Sequence, residues 1–471
     1  MCLNALCFES DIFMKKILFY NWTPIDSPLG GGVTKYIRNI ISELLDENLY
    51  EIFFLNSGLK YTRDNKIRIV EVSNNFDSRV KTYELINSPV LAPIKQSVKN
   101  LQIYLDDTQQ ANLIDQFIKQ NGINIVHINN IEGLSLASLS LKTKNEDVRF
   151  IYSIHNYTAI CTTSTLWQNG GHEGHNCNKN SFLECEKCYK QVSRNCEVFL
   201  RKYLYWLKAK HIIKNAYTAL FPDKANNNIF EEYAKSNIKA LSQYMDYNLA
   251  VSSRVKEILV SYGLDSQKTK VSYIGTRAAD IAMNKNNADI YSDPFVIIYM
   301  GYMTAEKGYE FFADSLAELA IDYPEISKKI SIRIVAKRNH REKSFTNKIV
   351  ANRKKFQNIQ FVNGYTKNNQ KELLQGANLG ILPVMWEDNL PQVAIEQIAY
   401  GVPVLTSDLG GAKELCNDLN FVFKAGNVTD FINKLYNIYE HRELLLEYWK
   451  SAKKLTTMQD HVKELKGFYG E

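Results

Sequence analysis

Trp386-Glu387-Asp388-Asn389-Leu390-Pro391-Gln392-Val393-Ala394-Ile395-Glu396, running on to Gly401-Val402-Pro403-Val404-Leu405, is the stretch whose reading decides the fold. An apolar run at 378–384 precedes it and another at 402–406 closes it. Between them Val393, Ile395, Ile398 and Ala399 supply apolar contact along a helix. Asp388 or Asn389 is expected to cap that helix, which runs to about Ala399 with Pro391 in its first turn. A helix start offers free N–H groups and partial positive charge, which suits a diphosphate. Glu396 falls about two turns inside at roughly 1.5 Å per residue. Its carboxylate only accepts hydrogen bonds, so it suits a pair of ribose hydroxyls. An ordinary capped helix with solvent-facing acids is the competing reading.

Working outward, short apolar runs alternate with helix-period segments. Strands are expected at 15–21, 51–56, 67–72, 124–129, 149–154, 247–252 and 270–275. A second series is expected at 295–300, 331–335, 359–363, 378–384 and 402–406. Helix 33–45 carries Val33, Tyr36, Ile37, Ile40, Ile41 and Leu44 on one face. Two successive strand–helix series predict an α/β chain with two doubly wound, Rossmann-like parallel sheets. The polar run Asn284-Lys285-Asn286-Asn287-Ala288-Asp289 reads as the linker. Ligands of such sheets sit at the strands' carboxyl ends and, with two sheets, in the cleft between them.

Three further segments stand where a ligand belongs. Gly30-Gly31-Gly32 follows the first strand, and glycine lets the backbone approach a phosphate or sugar closely; a plain flexible turn is the alternative. Met300-Gly301-Tyr302-Met303-Thr304-Ala305-Glu306-Lys307-Gly308 follows the first strand of the second series. It offers Lys307 as a point charge for a diphosphate, or merely as a solvated turn lysine. Phe150-Ile151-Tyr152-Ser153-Ile154-His155-Asn156-Tyr157 places His155 just past a strand end. His127 reads as packing at the core edge.

Together these segments resemble glycosyltransferase family 4. The family's usual pattern is an acidic residue, seven residues and Glu, then a small-residue turn and a buried strand; Asp388 stands where Glu is commoner. Tyr302 stands where the family often has Arg, and Asn156 where it often has Asp. Gly410-Gly411-Ala412-Lys413-Glu414 and Asp460-His461-Val462-Lys463 are also similar to family segments. The resemblance implies a GT-B fold, retention of anomeric configuration and no cofactor or divalent metal required for catalysis. It implies a nucleotide-diphosphate sugar donor and a glycan or lipid-linked acceptor, as in cell-surface polysaccharide biosynthesis. Lys307 would hold the diphosphate, Glu396 the ribose and Asp388 the sugar, with His155 on the sugar or acceptor. Gly31, Gly32, Gly301, Asn389, Leu390 and Pro391 would line the donor. The expected division is an extension at 1–13, an acceptor-side domain at 14–284, a donor-side domain at 285–454 and a returning helix at 455–471. A sugar-nucleotide epimerase of the same fold and a non-catalytic binding subunit stay open as alternatives.

Cys161, Cys177, Cys185 and Cys188 fall in an insertion at 158–196, with Cys196 nearby. Cys185-Glu186-Lys187-Cys188 has the two-residue gap of a metal site. A loop this long is uncommon unless something organises it. Structural zinc and four free cysteines are the two readings; some family members carry a similar insertion.

Bulk properties exclude several classes. The chain has 471 residues, 45% of them hydrophobic, which is ample for two or three cores. With 57 Lys plus Arg against 51 Asp plus Glu, a net charge of +6 does not suggest a nucleic-acid binder. No apolar stretch of about 18 residues suggests a membrane span. Residues 1–13 hold Glu9 and Asp11 and lack a basic start, so they do not read as an export signal. A cytoplasmic, reducing location is the expectation, which argues against structural disulfides. The basic, aromatic run at 198–214 suits peripheral contact with the inner membrane face or an ordinary packed helix.

Overall fold

The structure, a computed structural model, describes residues 14–27, 31–92, 98–168, 174–177, 182–185, 188, 228–280, 289–337 and 343–471. The expected extension at 1–13, the linker at 284–288, Gly30, Cys196 and the run at 198–214 lie outside the described residues.

The first series of strands is β1 (Lys15–Tyr20), β2 (Tyr50–Ser57), β3 (Arg68–Val72), β4 (Val80–Ile86), β5 (Ile125–Ile128) and β6 (Arg149–Ile154). A two-stranded hairpin follows, β7 (Trp167–Gln168) and β8 (His175–Asn176), and then β9 (Tyr247–Ala250) and β10 (Thr269–Val271). The second series is β11 (Phe295–Tyr302), β12 (Ile330–Lys337), β13 (Asn358–Val362), β14 (Leu379–Leu382), β15 (Val404–Ser407) and β16 (Val422–Phe423).

These strands build two main sheets. One runs β10-β9-β6-β5-β1-β2-β4-β3 and is parallel except for β3, which pairs antiparallel with β4. The other runs β13-β12-β11-β14-β15-β16 and is parallel throughout. The reversal of order lies between β1 and β5 in the first sheet and between β11 and β14 in the second. A crevice opens at the carboxyl ends of the strands at such a point.

Burial explains why these runs become parallel strands. Ile17, Phe19, Ile52, Phe53, Phe54, Ile297, Ile298, Ile332 and Ile334 are all buried. Strands covered by helices on both faces need apolar residues in succession rather than in alternation. β4 went unpredicted because Lys81 and Glu84 interrupt its apolar residues. Helix Gly31–Asp46 turns Tyr36, Ile37, Ile40, Ile41 and Leu44 onto the first sheet. It begins at Gly31, so two glycines expected in the preceding loop are helical.

The last helix, Met458–Tyr469, lies against the first sheet's side of the molecule. Tyr469 meets His127 Nδ1 at 2.7 Å, and His127 Nε2 meets Ser153 Oγ at 2.8 Å. His461 Nε2 meets the Tyr36 hydroxyl at 2.7 Å. Lys466 pairs with Glu47 at 2.7 Å. His127 is therefore a core residue, 0% exposed, and not a residue of the core edge.

His127 gives the fold a pH dependence. Burial, with His155 and His461 nearby, lowers its pKa to about 3. An unfolded histidine titrates near 6.5. Between those values the unfolded chain binds a proton that the native state refuses, so this site loses stability as pH falls. The contribution is complete above about pH 6.5 and declines by roughly 1.4 kcal/mol per pH unit below it. His127→Asn, which does not titrate, is expected to show a shallower acid loss in denaturant titrations at pH 7.5, 6.5 and 5.5. Parallel profiles for the two proteins would rule this site out as the cause.

Candidate active site in the cleft

The cleft between the two sheets holds a cavity of about 550 Å³, within the size range of small-molecule sites. Gly31, Gly32, Lys35 and His155 line it from one side; Gly301, Lys307, Lys337, Tyr365, Asp388 and Glu396 line it from the other. Every donor-side residue singled out in the sequence reaches this one cavity, including Asn389, Leu390 and Pro391.

The second side is built on the turns after β11 and β14. Gly308 closes the first turn at φ 73°, and a Cβ there would lie 1.6 Å from the Pro383 carbonyl oxygen. Only glycine fits, because both the backbone conformation and the space exclude a side chain. Gly301 adopts φ 147°, and a Cβ there would meet nothing within 4 Å. The backbone therefore faces open cleft at that point. The Tyr299 hydroxyl donates to the Tyr302 carbonyl at 2.7 Å and steadies the turn.

Lys307 projects from this turn to Asp388 Oδ2 at 2.5 Å, with its ammonium 5.1 Å from the Trp386 ring centroid. An ammonium has three N–H donors, so the pair leaves two for a ligand. The expected capping by Asp388 or Asn389 is not what the structure shows. The helix spans Gln392–Ala399, Pro391 stands at its boundary with extended backbone, and no side chain caps it. Asp388 is committed to Lys307 instead. Glu396 consequently lies about one turn inside the helix rather than two.

Glu396 is 2% exposed. Its Oε1 accepts from Lys35 Nζ at 2.6 Å, across the cleft, and its Oε2 accepts from the Tyr365 hydroxyl at 2.8 Å. Burial, then the neighbouring Glu396, raises the Tyr365 pKa and keeps it a donor. A carboxylate has about four acceptor positions, so two remain for ribose hydroxyls. The Asn389 side-chain amide nitrogen is buried without a partner, and an uncompensated donor beside a cavity is one a ligand can satisfy.

His155 faces the cavity from the other side. Its Nε2 is covered and unpartnered, and its ring meets Tyr36 edge-on at 4.7 Å. Burial, with His461 nearby, lowers its pKa to about 3, so it is neutral at neutral pH. A neutral imidazole can donate or accept one hydrogen bond at that atom.

Other cross-cleft contacts hold this geometry. Arg254 grips the buried Glu387 with two hydrogen bonds, Nη2–Oε1 at 2.6 Å and Nε–Oε2 at 3.0 Å. Glu414 accepts from the backbone N–H of Ser253 at 2.8 Å and of Arg254 at 2.7 Å, and from the Tyr273 hydroxyl at 2.7 Å. A carboxylate from one side thus caps helix Ser253–Ser261 of the other. Gln392 Nε2 donates to the Gly32 carbonyl at 3.0 Å. Sequence reading missed Lys35, Tyr365, Arg254 and Glu387 as site residues. Their only signal was position, since each belongs to a segment already flagged or lies just beyond a strand end.

The predicted ligand cysteines lie away from this cavity. Cys161, Cys177, Cys185 and Cys188 line a separate small cavity with Trp167, Gln168 and Tyr262. No described helix is long and apolar enough to cross a membrane.

Comparison with known proteins agrees with this architecture. Residues 280–455 match the family model of glycosyl transferases group 1. Over 192 residues the chain is 26% identical to the uncharacterized glycosyltransferase MJ1059 of Methanocaldococcus jannaschii, covering 39% of this chain and 45% of that one. The chain thus spans less than half the length of the curated relatives it matches. A UDP-forming α,α-trehalose-phosphate synthase from Burkholderia xenovorans superposes with TM-score 0.59 at 11% identity, over 97% of this chain and 99% of that one. Anabaena Alr3699/HepE in complex with UDP and glucose superposes with TM-score 0.54 at 13% identity, over 97% and 99%. The chain therefore has the GT-B fold, two Rossmann-like halves facing one cleft, and its residues 280–455 are similar to group 1 glycosyl transferases.

Proposed function

We propose that the protein is a family 4-like, retaining glycosyltransferase of hexosyltransferase type, moving a sugar from a nucleotide-diphosphate sugar to a glycan or lipid-linked acceptor. The observation that carries the reading is the convergence of Lys307, Asp388, Glu396 and the start of helix Gln392–Ala399 on one cavity. A helix N-terminus and a cation suit a diphosphate, and a buried carboxylate suits ribose.

In this reading the two spare donors of Lys307 hold the departing diphosphate as its charge grows. Glu396 holds the ribose. Asp388 presents Oδ1 to the sugar hydroxyls while Oδ2 keeps Lys307 in place. His155 offers Nε2 to the sugar or the acceptor. Closure of the cleft then excludes water and sets the acceptor hydroxyl against the anomeric carbon. No carboxylate acts as a covalent nucleophile, unlike in retaining glycosidases. Polysaccharide assembly at the inner membrane face is the setting we assign, and no metal is needed for the transfer.

The test is a panel of UDP-, GDP- and ADP-sugars. One is expected to raise the melting temperature, since ligand binding to the native state alone stabilises it. The same donor is expected to release its nucleoside diphosphate slowly in water and faster with an acceptor. Isomerised sugar with no released diphosphate would identify an epimerase instead. Binding without any turnover, with acceptor mixtures included, would identify a binding subunit.

A further inference from the structure

The cysteine-bearing segment packs against the active-site wall, although it is remote in sequence. Strands β7 and β8 pair Trp167 with Asn176 and Gln168 with His175. That pairing brings Cys177 back beside Leu166, whose carbonyl accepts from the Cys177 N–H at 2.6 Å. Cys161 precedes the hairpin, and Cys185 and Cys188 follow it. The result is that four thiols separated by up to 27 positions of chain line one cavity of about 50 Å³. That volume exceeds the roughly 10–15 Å³ a single water requires, so one ion fits.

We infer that Cys161, Cys177, Cys185 and Cys188 bind one structural zinc ion. Four thiolates are a complete tetrahedral set for zinc, and structural sites use protein ligands at all four positions. Among the described residues no three His, Cys, Asp or Glu groups already converge as ligands. Zinc in this cavity requires the side chains to turn until all four sulfurs stand about 2.3 Å from one centre. Cys161 Sγ rests 3.1 Å from Thr163 Oγ1, a weak contact that a metal bond replaces. Cys416, a buried thiol elsewhere in the chain, does not line the cavity.

The site also reaches the chemistry. Trp167 packs with Ala305, Val384 and Trp386. The Glu387 N–H donates to Asn176 Oδ1 at 3.2 Å. The zinc-held hairpin thus supports the segment from which Asp388 and the Lys307–Trp386 contact arise. An ion that fixes the hairpin therefore fixes part of the cleft wall, and its loss is felt there as well as in stability.

The experiment is metal analysis of the full chain purified without a metal-affinity step. About one zinc per chain is expected to survive dialysis, since binding energy at such a site is also folding energy. Cys185→Ser and Cys188→Ser are expected to lose the ion, and Cys416→Ser to keep it. Stripping by a chelator is expected to lower the melting temperature, and zinc chloride, but not magnesium chloride, to restore it. If the serine variants do not fold, the stripping and restoration of the wild-type chain decide the matter. Less than about a tenth of an equivalent in the wild type, with no rise on adding zinc chloride, overturns the proposal. So does zinc retained in both serine variants, or iron bound in its place.

Discussion

Lys307→Ala is expected to lower kcat about 10²- to 10³-fold, the range found when a preorganised donor to developing charge is removed. The argument starts from its surroundings. Its ammonium is fixed by Asp388 Oδ2 at 2.5 Å and by the Trp386 ring at 5.1 Å. A cation already held in place does not reorganise as the leaving group gains charge, so its effect is larger in the transition state than in the bound donor. The fall should therefore appear in kcat and kcat/KM together. The family 4 resemblance leads to the expectation of Arg at the position of Tyr302, which is 61% exposed. That leaves Lys307 a larger share of the charge. Alanine also strands the buried Asp388 carboxylate, a cost that belongs to the ion pair and not to catalysis. Lys307→Ala combined with Asp388→Asn removes that cost in a melting-temperature measurement while leaving turnover low. A rise in KM with kcat unchanged would make Lys307 a ground-state contact and defeat the assignment.

How much of this was legible follows from what short sequence spans can encode. Strands buried on both faces announce themselves as apolar runs, and β1, β2, β6, β11, β12 and β15 fall close to where such runs lie. β4 breaks the pattern because Lys81 and Glu84 sit in it, and β16 is only two residues long. The cavity's donor-side residues were legible because they follow strand ends, where open sheets bind ligands. Their partners were not. Lys35 meets Glu396 across 361 positions and Arg254 meets Glu387 across 133. No local pattern encodes such a pairing. The misplaced helix start has the same origin: Asp388 is a good cap by type, but a lysine 81 positions earlier claims it. Likewise the β7–β8 pairing returns Cys177 to Leu166, a juxtaposition that the cysteine spacing alone does not encode.

Glu396→Ala is expected to weaken binding of the cognate nucleoside diphosphate about 10- to 100-fold, equivalent to roughly 1.4–2.8 kcal/mol. Hydrogen bonds to a charged group are worth about 1.5–3 kcal/mol each, so two ribose hydroxyls on a free carboxylate would give more. Glu396 is not free. Lys35 and Tyr365 already occupy one position on each oxygen, at 2.6 Å and 2.8 Å. The ribose must share those oxygens or displace a partner, and the net gain is correspondingly smaller. Lys35 is partly exposed, so when Glu396 is lost its ammonium can turn to water or to the diphosphate, which offsets part of the loss. Calorimetry with the 2′-deoxy and 3′-deoxy diphosphates separates the ribose contribution from these rearrangements. Removing the contacted hydroxyl should weaken the wild type yet make little further difference to Glu396→Ala, because the two changes delete the same contact. Equal losses in both proteins would show that Glu396 does not touch the ribose, and its role would then be the cross-cleft bond to Lys35.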